Sequence, residues 1–315
     1  MQGLTIQRLG LRIKNTWVTD GLSEILCTFI LALFVYASGA QDMLTYGAAS
    51  STPGKALASG AGLTIAVYAG MKASGGSANP NVSLMFCLLG KMKWKKLPLY
   101  IVSEFIGAFL AAVVAYFIYE DLIIAYEGST DRIHAGSINS TAALFTSFPH
   151  PRISKTTGFF DVTLGTALLT GAIAAIADPF NAGTSRALIP LVFTPMLYGI
   201  VMTFGVNTGA AINTAIDLSG RTFAYAIGYG PEVFTHANNW SWVPPVAGIT
   251  GAVTGSFVYQ LMVGNHLPME TVYPADVTVQ KEIPDIRNGT PVDLKEYKST
   301  LSMDSIKTVS TVVDS

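Results

Sequence analysis

The sequence predicts an all-α membrane protein in which two inverted halves each supply three transmembrane helices and one shorter helix. Half of its 315 residues are apolar and 12% are charged, a composition typical of membrane proteins rather than of soluble domains. Six apolar runs are long enough to cross about 30 Å of hydrocarbon. A short Asn-centred sequence also occurs once in each half, each time before a shorter apolar run.

The six predicted spans lie at about 17–40, 56–72, 97–119, 160–178, 187–207 and 243–264. The first follows a basic stretch from Arg8 to Lys14 and precedes five others, so we predict a retained span rather than a cleaved signal peptide. The predicted organisation is a terminal segment at 1–15, a membrane domain at 16–264 and a tail at 265–315. The membrane domain divides into a first repeat at about 16–119, a connecting segment at about 120–159 and a second repeat at about 160–264.

The distribution of basic residues predicts the orientation of a multi-pass membrane protein. Basic side chains concentrate in two connections, at Lys91, Lys93, Lys95, Lys96 and Arg186. By the positive-inside rule these connections and both termini are cytoplasmic. The 120–159 segment and the stretch after Arg221 are then exterior, and each holds a possible glycosylation sequon, at Asn139 and at Asn239. The polar, mixed-charge tail is predicted to be disordered.

The two Asn-centred sequences align as an internal repeat, Ser74–Asn81 (SGGSANPN) against Thr208–Ala215 (TGAAINTA). Each follows two spans of its own half and precedes a third. Because three spans per half is an odd number, the second copy must be inverted relative to the first. An inverted repeat with broken segments at matching positions predicts a binding or conduction site at the membrane midplane.

Each broken segment can begin a half-helix. Asn is a favoured N-cap and Pro a favoured first helical residue, so Asn79-Pro80 predicts a helix whose first N–H groups face the membrane centre. Asn213 predicts the same in the second half. Two such half-helices direct their positive dipole ends and two side-chain amides at one place. A neutral hydroxylated solute would meet donors there, whereas a cation would meet a barrier.

With these two boxes, three further stretches resemble the aquaporin superfamily, specifically the aquaglyceroporins: Gly90–Phe109 (GKMKWKKLPLYIVSEFIGAF), Thr141–Pro151 (TAALFTSFPHP) and Tyr229–Gly248 (YGPEVFTHANNWSWVPPVAG). The resemblance covers about 15–264. It implies a channel domain of six helices and two re-entrant half-helices, assembled as a homotetramer in the plasma membrane with a pore in every subunit. It also implies passive passage of water, glycerol and similar small neutral solutes.

The boxes depart from the family motif, which is Asn-Pro-Ala in both halves. Here they read Asn79-Pro80-Asn81 and Asn213-Thr214-Ala215, and these residues are predicted to form the central constriction of the pore. Thr214 lacks the fixed φ of proline but can still occupy the first helical position. We therefore expect the second half-helix to form.

The predicted selectivity filter departs further. The residue after the second box is an arginine in nearly all family members and is Ile216 here, although Asp217 and Arg221 match the acidic and basic positions that follow. Arg221 lies about 140° around a helix from Ile216 and is not expected to replace the arginine. The other filter positions fall on Ser59, Val201 and Ala210, which predicts a wide, largely apolar filter that admits larger solutes. Alternatively, side chains of the exterior segment refill the space, or the pore is closed.

Three buried polar residues receive scaffold or pore-lining roles. For Glu24, in the first span, we favour hydrogen bonding to backbone around the first half-helix over contact with solute. The equivalent position of the second half is Val162, with Asp161 one residue earlier, which leaves open whether Asp161 takes over. Glu104 stands where the family usually has Gln, and we favour hydrogen bonding to a loop over a role in gating or proton passage. Ser77 is predicted to line the pore, with packing as the alternative.

Two other functions remain open at this point. One is a proton-coupled secondary transporter that uses Glu24 or Glu104, and the other is a non-conducting structural membrane protein. No phosphate-binding loop, dinucleotide fingerprint, nucleophile elbow or zinc motif stands in a plausible context, so we expect no enzyme activity, no cofactor and no metal. We also expect no nucleic-acid partner.

Overall fold

The computed structural model describes residues 12–181, 185 and 187–267, and these residues are helical apart from turns and connecting segments. The helices are α1 (Thr16–Met43), α2 (Thr52–Gly70), α3 (Pro80–Leu88), α4 (Leu97–Glu127), α5 (Lys155–Ile176), α6 (Ile189–Thr208), α7 (Thr214–Ala226), α8 (Glu232–Asn239) and α9 (Val243–Met262). Short 3₁₀ turns occupy Trp94–Lys96, Ala142–Leu144, Trp240–Trp242 and Gly264–His266. Arg8, Arg186 and the predicted tail beyond residue 267 lie outside the described residues.

The long helices correspond to the six predicted spans. Five stretches are long and apolar enough to cross a membrane, at Thr16–Met43, Trp94–Glu127, Lys155–Ile176, Ile189–Thr208 and Glu232–His266. The sixth predicted span, α2, has 19 residues but falls short in apolarity because it contains Lys55, Ser59 and several glycines. It packs between α1 and α6.

The two halves pack in matching ways. In the first half α1 lies against α4, and in the second half α5 lies against α9. Both contacts depend on a glycine at the crossing. A Cβ atom at Gly107 would lie 2.3 Å from the carbonyl oxygen of Ile25, and one at Gly255 would lie 2.2 Å from that of Ala167. Small residues therefore let these helix backbones approach closely, as is common in membrane bundles.

The short helices α3 and α7 are the predicted half-helices, and each packs against the other half of the chain as well as its own. α3 contacts α9, and α7 contacts α4. The Ser219 hydroxyl of α7 donates to the backbone oxygen of Phe105 in α4 over 2.9 Å. The inverted repeat is therefore an intertwined unit, with each half-helix held partly by the opposite half.

The connection between the halves is shorter than the predicted 120–159 segment. α4 continues to Glu127 and ends at Gly128, whose φ of 69° suits a helix C-terminus. The helix persists past residue 119 because Ile123 on its inner face is completely buried. α5 begins at Lys155, where the hydroxyl of Ser154 caps the first turn by accepting from the Thr157 N–H. The connecting segment therefore spans 128–154.

Candidate functional site

The two half-helices begin at the predicted asparagines. Asn79 caps α3, with its side-chain oxygen accepting from the Asn81 N–H over 3.0 Å. Asn213 caps α7 in the same way, accepting from the N–H groups of Ala215 and Ile216 over 3.1 and 3.2 Å. Both helices therefore begin with their free N–H ends at the place where the two re-entrant segments meet.

Each capping amide also joins the two segments. The amide nitrogen of Asn79 donates to the backbone oxygen of Ile212 over 3.0 Å, and that of Asn213 donates to the backbone oxygen of Ala78 over 2.8 Å. These two hydrogen bonds are related by the inverted repeat. A side-chain amide has two N–H donors, so each asparagine retains a second donor for a solute.

A cavity of about 620 Å³ runs past these amides. At one end it is bordered by Thr52, Lys55 and the stretch 143–147, and at the other by Met71, Phe86 and Ala177. Its walls are mainly apolar. A continuous apolar channel with a few polar groups midway is suited to the passage of small solutes.

Of the six residues predicted for the central constriction, Asn79 and Asn213 line this cavity. The others, Pro80, Asn81, Thr214 and Ala215, form the first turns of the half-helices and do not border it. Helix geometry gives the reason, because the two residues after each N-cap point away from the cavity and the third, Val82 or Ile216, faces it again.

The four predicted filter residues, Ser59, Val201, Ala210 and Ile216, all line the cavity between its Lys55 end and the asparagines. Ala210 has a φ of 53° and follows Gly209 with a φ of 71°. The equivalent pair in the first half, Gly75-Gly76, also has positive φ. The backbone thus makes the same reversal in both re-entrant segments, which keeps the filter position at the cavity wall.

The connecting segment also reaches the filter. Residues 143–147 border the cavity next to Ile216, whose backbone oxygen accepts from the Tyr36 hydroxyl over 2.7 Å. The ring of Phe145 is buried and packs against Phe223 with centroids 5.2 Å apart. The packing of Phe145 against Phe223 therefore anchors the connecting segment to α7.

The acidic residue after the filter position is fully satisfied by hydrogen bonds. The Asp217 carboxylate accepts from the Thr146 hydroxyl over 3.0 Å and from the Ser147 N–H and hydroxyl over 2.9 and 2.6 Å. Its second oxygen lies 2.8 Å from the guanidinium Nε of Arg221. Arg221 is completely buried, also donates to the backbone oxygens of Val233 and Ser147, and does not border the cavity. As expected from its helical position, it does not occupy the place of the missing arginine.

Lys55 and Asp217 are the charged residues among the described cavity-lining side chains. Asp217 is neutralised by Arg221, as described above. Lys55 lies one helical turn from Ser59 toward the mouth, and its ammonium is 2.6 Å from the Asp42 carboxylate. Each of these two charges is therefore paired with an opposite charge of the same chain, and the four filter residues are uncharged.

Glu24 and Glu104 hold the first re-entrant segment. The Glu24 carboxylate accepts from the backbone N–H groups of Ser77 and Ala78 over 3.1 and 2.9 Å. Glu104 accepts from the Asn79 N–H over 3.2 Å and from the Ser83 hydroxyl over 2.7 Å. Both glutamates are completely buried and neither borders the cavity, whereas Ser77 does. Both carboxylates therefore contact the first re-entrant segment and not the cavity.

The second half lacks an equivalent of Glu24. Val162 is buried, and the neighbouring Asp161 accepts from the side chains of Asn207 and Thr208 over 2.8 and 2.7 Å. Asp161 thus holds the end of α6 rather than the backbone N–H groups next to Asn213. Glu24 therefore binds backbone N–H groups of the first re-entrant segment, whereas Asp161 binds side chains at the end of α6.

The model of the major intrinsic protein family matches residues 12–259. The chain belongs to the major intrinsic protein family.

Several relatives cover most of this major intrinsic protein. It is 34% identical to human Aquaporin-10 over 91% of the chain and 95% of that protein, and 36% identical to human Aquaporin-9 over 81% and 86%. It is also 36% identical to Aquaglyceroporin-2 of Rhizophagus irregularis over 76% and 75%. The X-ray structure of the aquaglyceroporin from Plasmodium falciparum superposes with a TM-score of 0.70 at 27% identity, covering 78% of this chain and 97% of that one. The predicted fold is therefore confirmed.

In this major intrinsic protein, Lys55 at the cavity mouth was missed in the sequence. Side chains of the exterior segment at the filter were an open alternative, but the sequence did not indicate that residues 143–147 would be the ones to border it. For Lys55 a signal existed, because a lysine four residues before the filter position Ser59 lies on the same helix face. For the exterior segment the sequence did not indicate which residues would reach the filter, since the position of the 143–147 stretch depends on contacts with distant parts of the chain.

Proposed function

We propose that this protein is a passive transmembrane channel for water and small uncharged solutes such as glycerol. The proposal rests on the two side-chain amides of Asn79 and Asn213, which lie at the junction of two inverted half-helices. Both line the cavity, between its Lys55 end and its Met71 end. A solute that has shed its water finds replacement hydrogen bonds there, so its passage needs no energy input beyond its concentration gradient. The names of the aquaglyceroporin relatives support glycerol as a solute.

The filter is wide and uncharged. Ser59, Val201 and Ala210 are small or medium-sized, and Ile216 carries no donor, so the channel discriminates weakly by size. The polar groups of Thr146 and Ser147 are engaged by Asp217 and do not replace the guanidinium. This favours a wide filter over one refilled by the connecting segment.

Ion exclusion rests on the central donors rather than on the filter. The first N–H groups of α3 and α7 and the amides of Asn79 and Asn213 present partial positive charge to the cavity, which opposes cations. Glu24 and Glu104 serve as scaffold residues. Because neither borders the cavity, a proton-coupled mechanism through them has no support in the geometry.

The protein acts as a homotetramer in the plasma membrane, with a pore in each subunit and both termini in the cytoplasm. The channel domain covers 16–264. Asn139 and Asn239 are both exposed. Asn139 follows the end of the membrane-crossing helix α4 and Asn239 follows the end of the half-helix α7, and both helices end on the side of the Lys55 mouth. We assign this side to the exterior, where either sequon could be glycosylated.

Flux measurements on purified protein test the proposal. Proteoliposomes are shrunk in hyperosmotic glycerol, and the rates of water efflux and glycerol entry are compared with protein-free vesicles. Asn213→Leu is the matched test of the central donors, because leucine has a similar size and no amide. We expect both fluxes in the wild type and their loss in the variant. Wild-type flux equal to that of empty vesicles, or uphill glycerol movement driven by a proton gradient, would contradict the proposal.

A further inference from the structure

We infer that Asn81 and Thr214 are a matched pair of positioning residues that fasten the two half-helices to each other, and that Gly248 makes room for them. The Thr214 hydroxyl lies 3.1 Å from the side-chain oxygen of Asn81, to which it donates. The two residues are 133 positions apart in the chain and are 1% and 7% exposed. They are also the two residues at which the boxes differ from Asn-Pro-Ala.

The orientation of the Asn81 amide is set by its neighbours. Its nitrogen lies 3.0 Å from the backbone oxygen of Ile212, which can only accept a hydrogen bond. The amide oxygen must therefore face Thr214, whose hydroxyl can donate. The Ile212 oxygen consequently accepts from two amides, Asn79 and Asn81, and the first turn of α3 is joined both to the second re-entrant segment and to the first turn of α7.

α9 accommodates the larger side chain at position 81. A Cβ atom at Gly248 would lie 2.6 Å from the amide nitrogen of Asn81 and 2.9 Å from its oxygen. Both distances are below van der Waals contact, and the short amide could not move aside without breaking its hydrogen bonds. The glycine is thus required by the asparagine.

This arrangement explains how two departures can coexist in one pore. Proline at position 214 would start α7 with a fixed φ, yet it has no hydroxyl and would leave the buried oxygen of Asn81 without a donor. Asparagine at position 81 with proline at 214 therefore fits less well than either Asn81 with Thr214 or alanine with proline. Asn79 precedes Asn81 by two residues and Asn213 directly precedes Thr214, so the pair also positions the two donors that face the cavity.

A double-mutant cycle tests the inference on the full-length protein. We measure the midpoint of thermal unfolding for Thr214→Pro, Asn81→Ala and the double variant, with Thr214→Val as the isosteric variant without the hydroxyl and Thr214→Ser as the variant that keeps it. Thr214→Pro and Thr214→Val should each lower the midpoint by about 2–6 °C, and Thr214→Ser by less. In the Asn81→Ala background, Thr214→Pro should leave the midpoint unchanged or raise it.

A second double-mutant cycle, of Gly248 with Asn81, and a measurement of water permeability distinguish loss of this specific contact from a general loss of stability. Gly248→Ala should be destabilising alone and tolerated together with Asn81→Ala. Water permeability per folded channel should fall at least about twofold in Thr214→Val and recover in Thr214→Ser, because the pore donors must be held closely in place. This readout rests on the proposed channel function, whereas the unfolding cycles do not.

The inference is overturned if Thr214→Pro stabilises the wild type, or if its effect is the same with and without Asn81. Should Asn81→Ala not fold, equal midpoints for Thr214→Val and Thr214→Ser would overturn it as well. Unchanged permeability in Thr214→Val would refute the positioning of the pore donors. Wild-type vesicles without flux would instead refute the channel function and leave the unfolding cycles to decide.

Discussion

Gly220 is the position at which the smallest change should disturb the filter most. It lies in α7, where the connecting segment crosses it. A Cβ atom there would lie 1.7 Å from the backbone oxygen of Phe145 and 2.7 Å from its carbonyl carbon. Gly220→Ala must therefore push the segment away by more than about 1 Å to reach even the closest contact that real Cβ atoms make.

The segment cannot make that movement without losing its anchors. Thr146 and Ser147 are hydrogen-bonded to Asp217 over 2.6–3.0 Å, and the Arg221 guanidinium donates to the backbone of Ser147. Hydrogen bonds to charged groups contribute about 1.5–3 kcal/mol each to the free energy of unfolding, so loss of two costs roughly 3–6 kcal/mol. For a membrane domain of this size that corresponds to a fall of roughly 10 °C in the unfolding midpoint.

The assay compares Gly220→Ala with Gly199→Ala in detergent, followed by flux in proteoliposomes. Nothing lies within 4 Å of a Cβ atom at Gly199, and alanine favours a helix, so this control should be neutral or slightly stabilising. Folded Gly220→Ala protein should also show altered glycerol-to-water selectivity, because residues 143–147 border the filter. Midpoints within about 2 °C for the two variants would refute the reasoning, since a real close contact costs more.

Three further outcomes follow from the same geometry. Ile216→Arg should narrow the range of solutes, so that flux of four-carbon polyols falls relative to water; an unchanged ratio would contradict an open filter at this residue. Lys55→Gln leaves Asp42 unpaired at the mouth and should raise methylammonium uptake relative to glycerol, an effect that salt reduces. Lys72→Gln, at an exposed lysine that does not line the cavity and follows Met71 at its opposite end, should not raise this ratio. Burial raises the pKa of Tyr229 to about 12. Because this pKa is above the ordinary value near 10, the contribution of Tyr229 to the free energy of unfolding should be constant below about pH 10 and be lost as the pH rises through 12; phenolate absorbance of the folded protein at pH 10 that disappears in Tyr229→Phe would argue against it.

The sequence predicted the parts of this structure that depend on short-range rules. Asn79 and Asn213 cap half-helices because capping requires only the residue and the turn that follows it. Five of the six spans follow clearly from apolar length, whereas α2 is less apolar, and the inversion follows from counting spans. The end of α4 was placed too early, because the charged residues at 120 and 121 resembled a loop although the inner face of the helix remained apolar.

Contacts between distant residues could not be predicted in the same way. The hydrogen bond from Thr214 to Asn81 joins two substitutions that looked independent, and one of them looked like a simple loss of proline. The contact of the 143–147 stretch with the filter depends on Asp217 and Arg221, which lie about 70 residues later. Side-chain type indicated that these residues were unusual but did not show which of them meet.

The crossed packing of the half-helices has a consequence for how the chain can be divided. α3 rests on α9 and α7 on α4, so a fragment containing one half alone would expose the surface that normally receives the half-helix of the other. Two fragments separated within 128–154 should each be degraded when produced alone and should form a working pore when produced together. The two halves of the chain therefore depend on each other for folding, as the two different subunits of an obligate heterodimer do, although here they belong to one polypeptide.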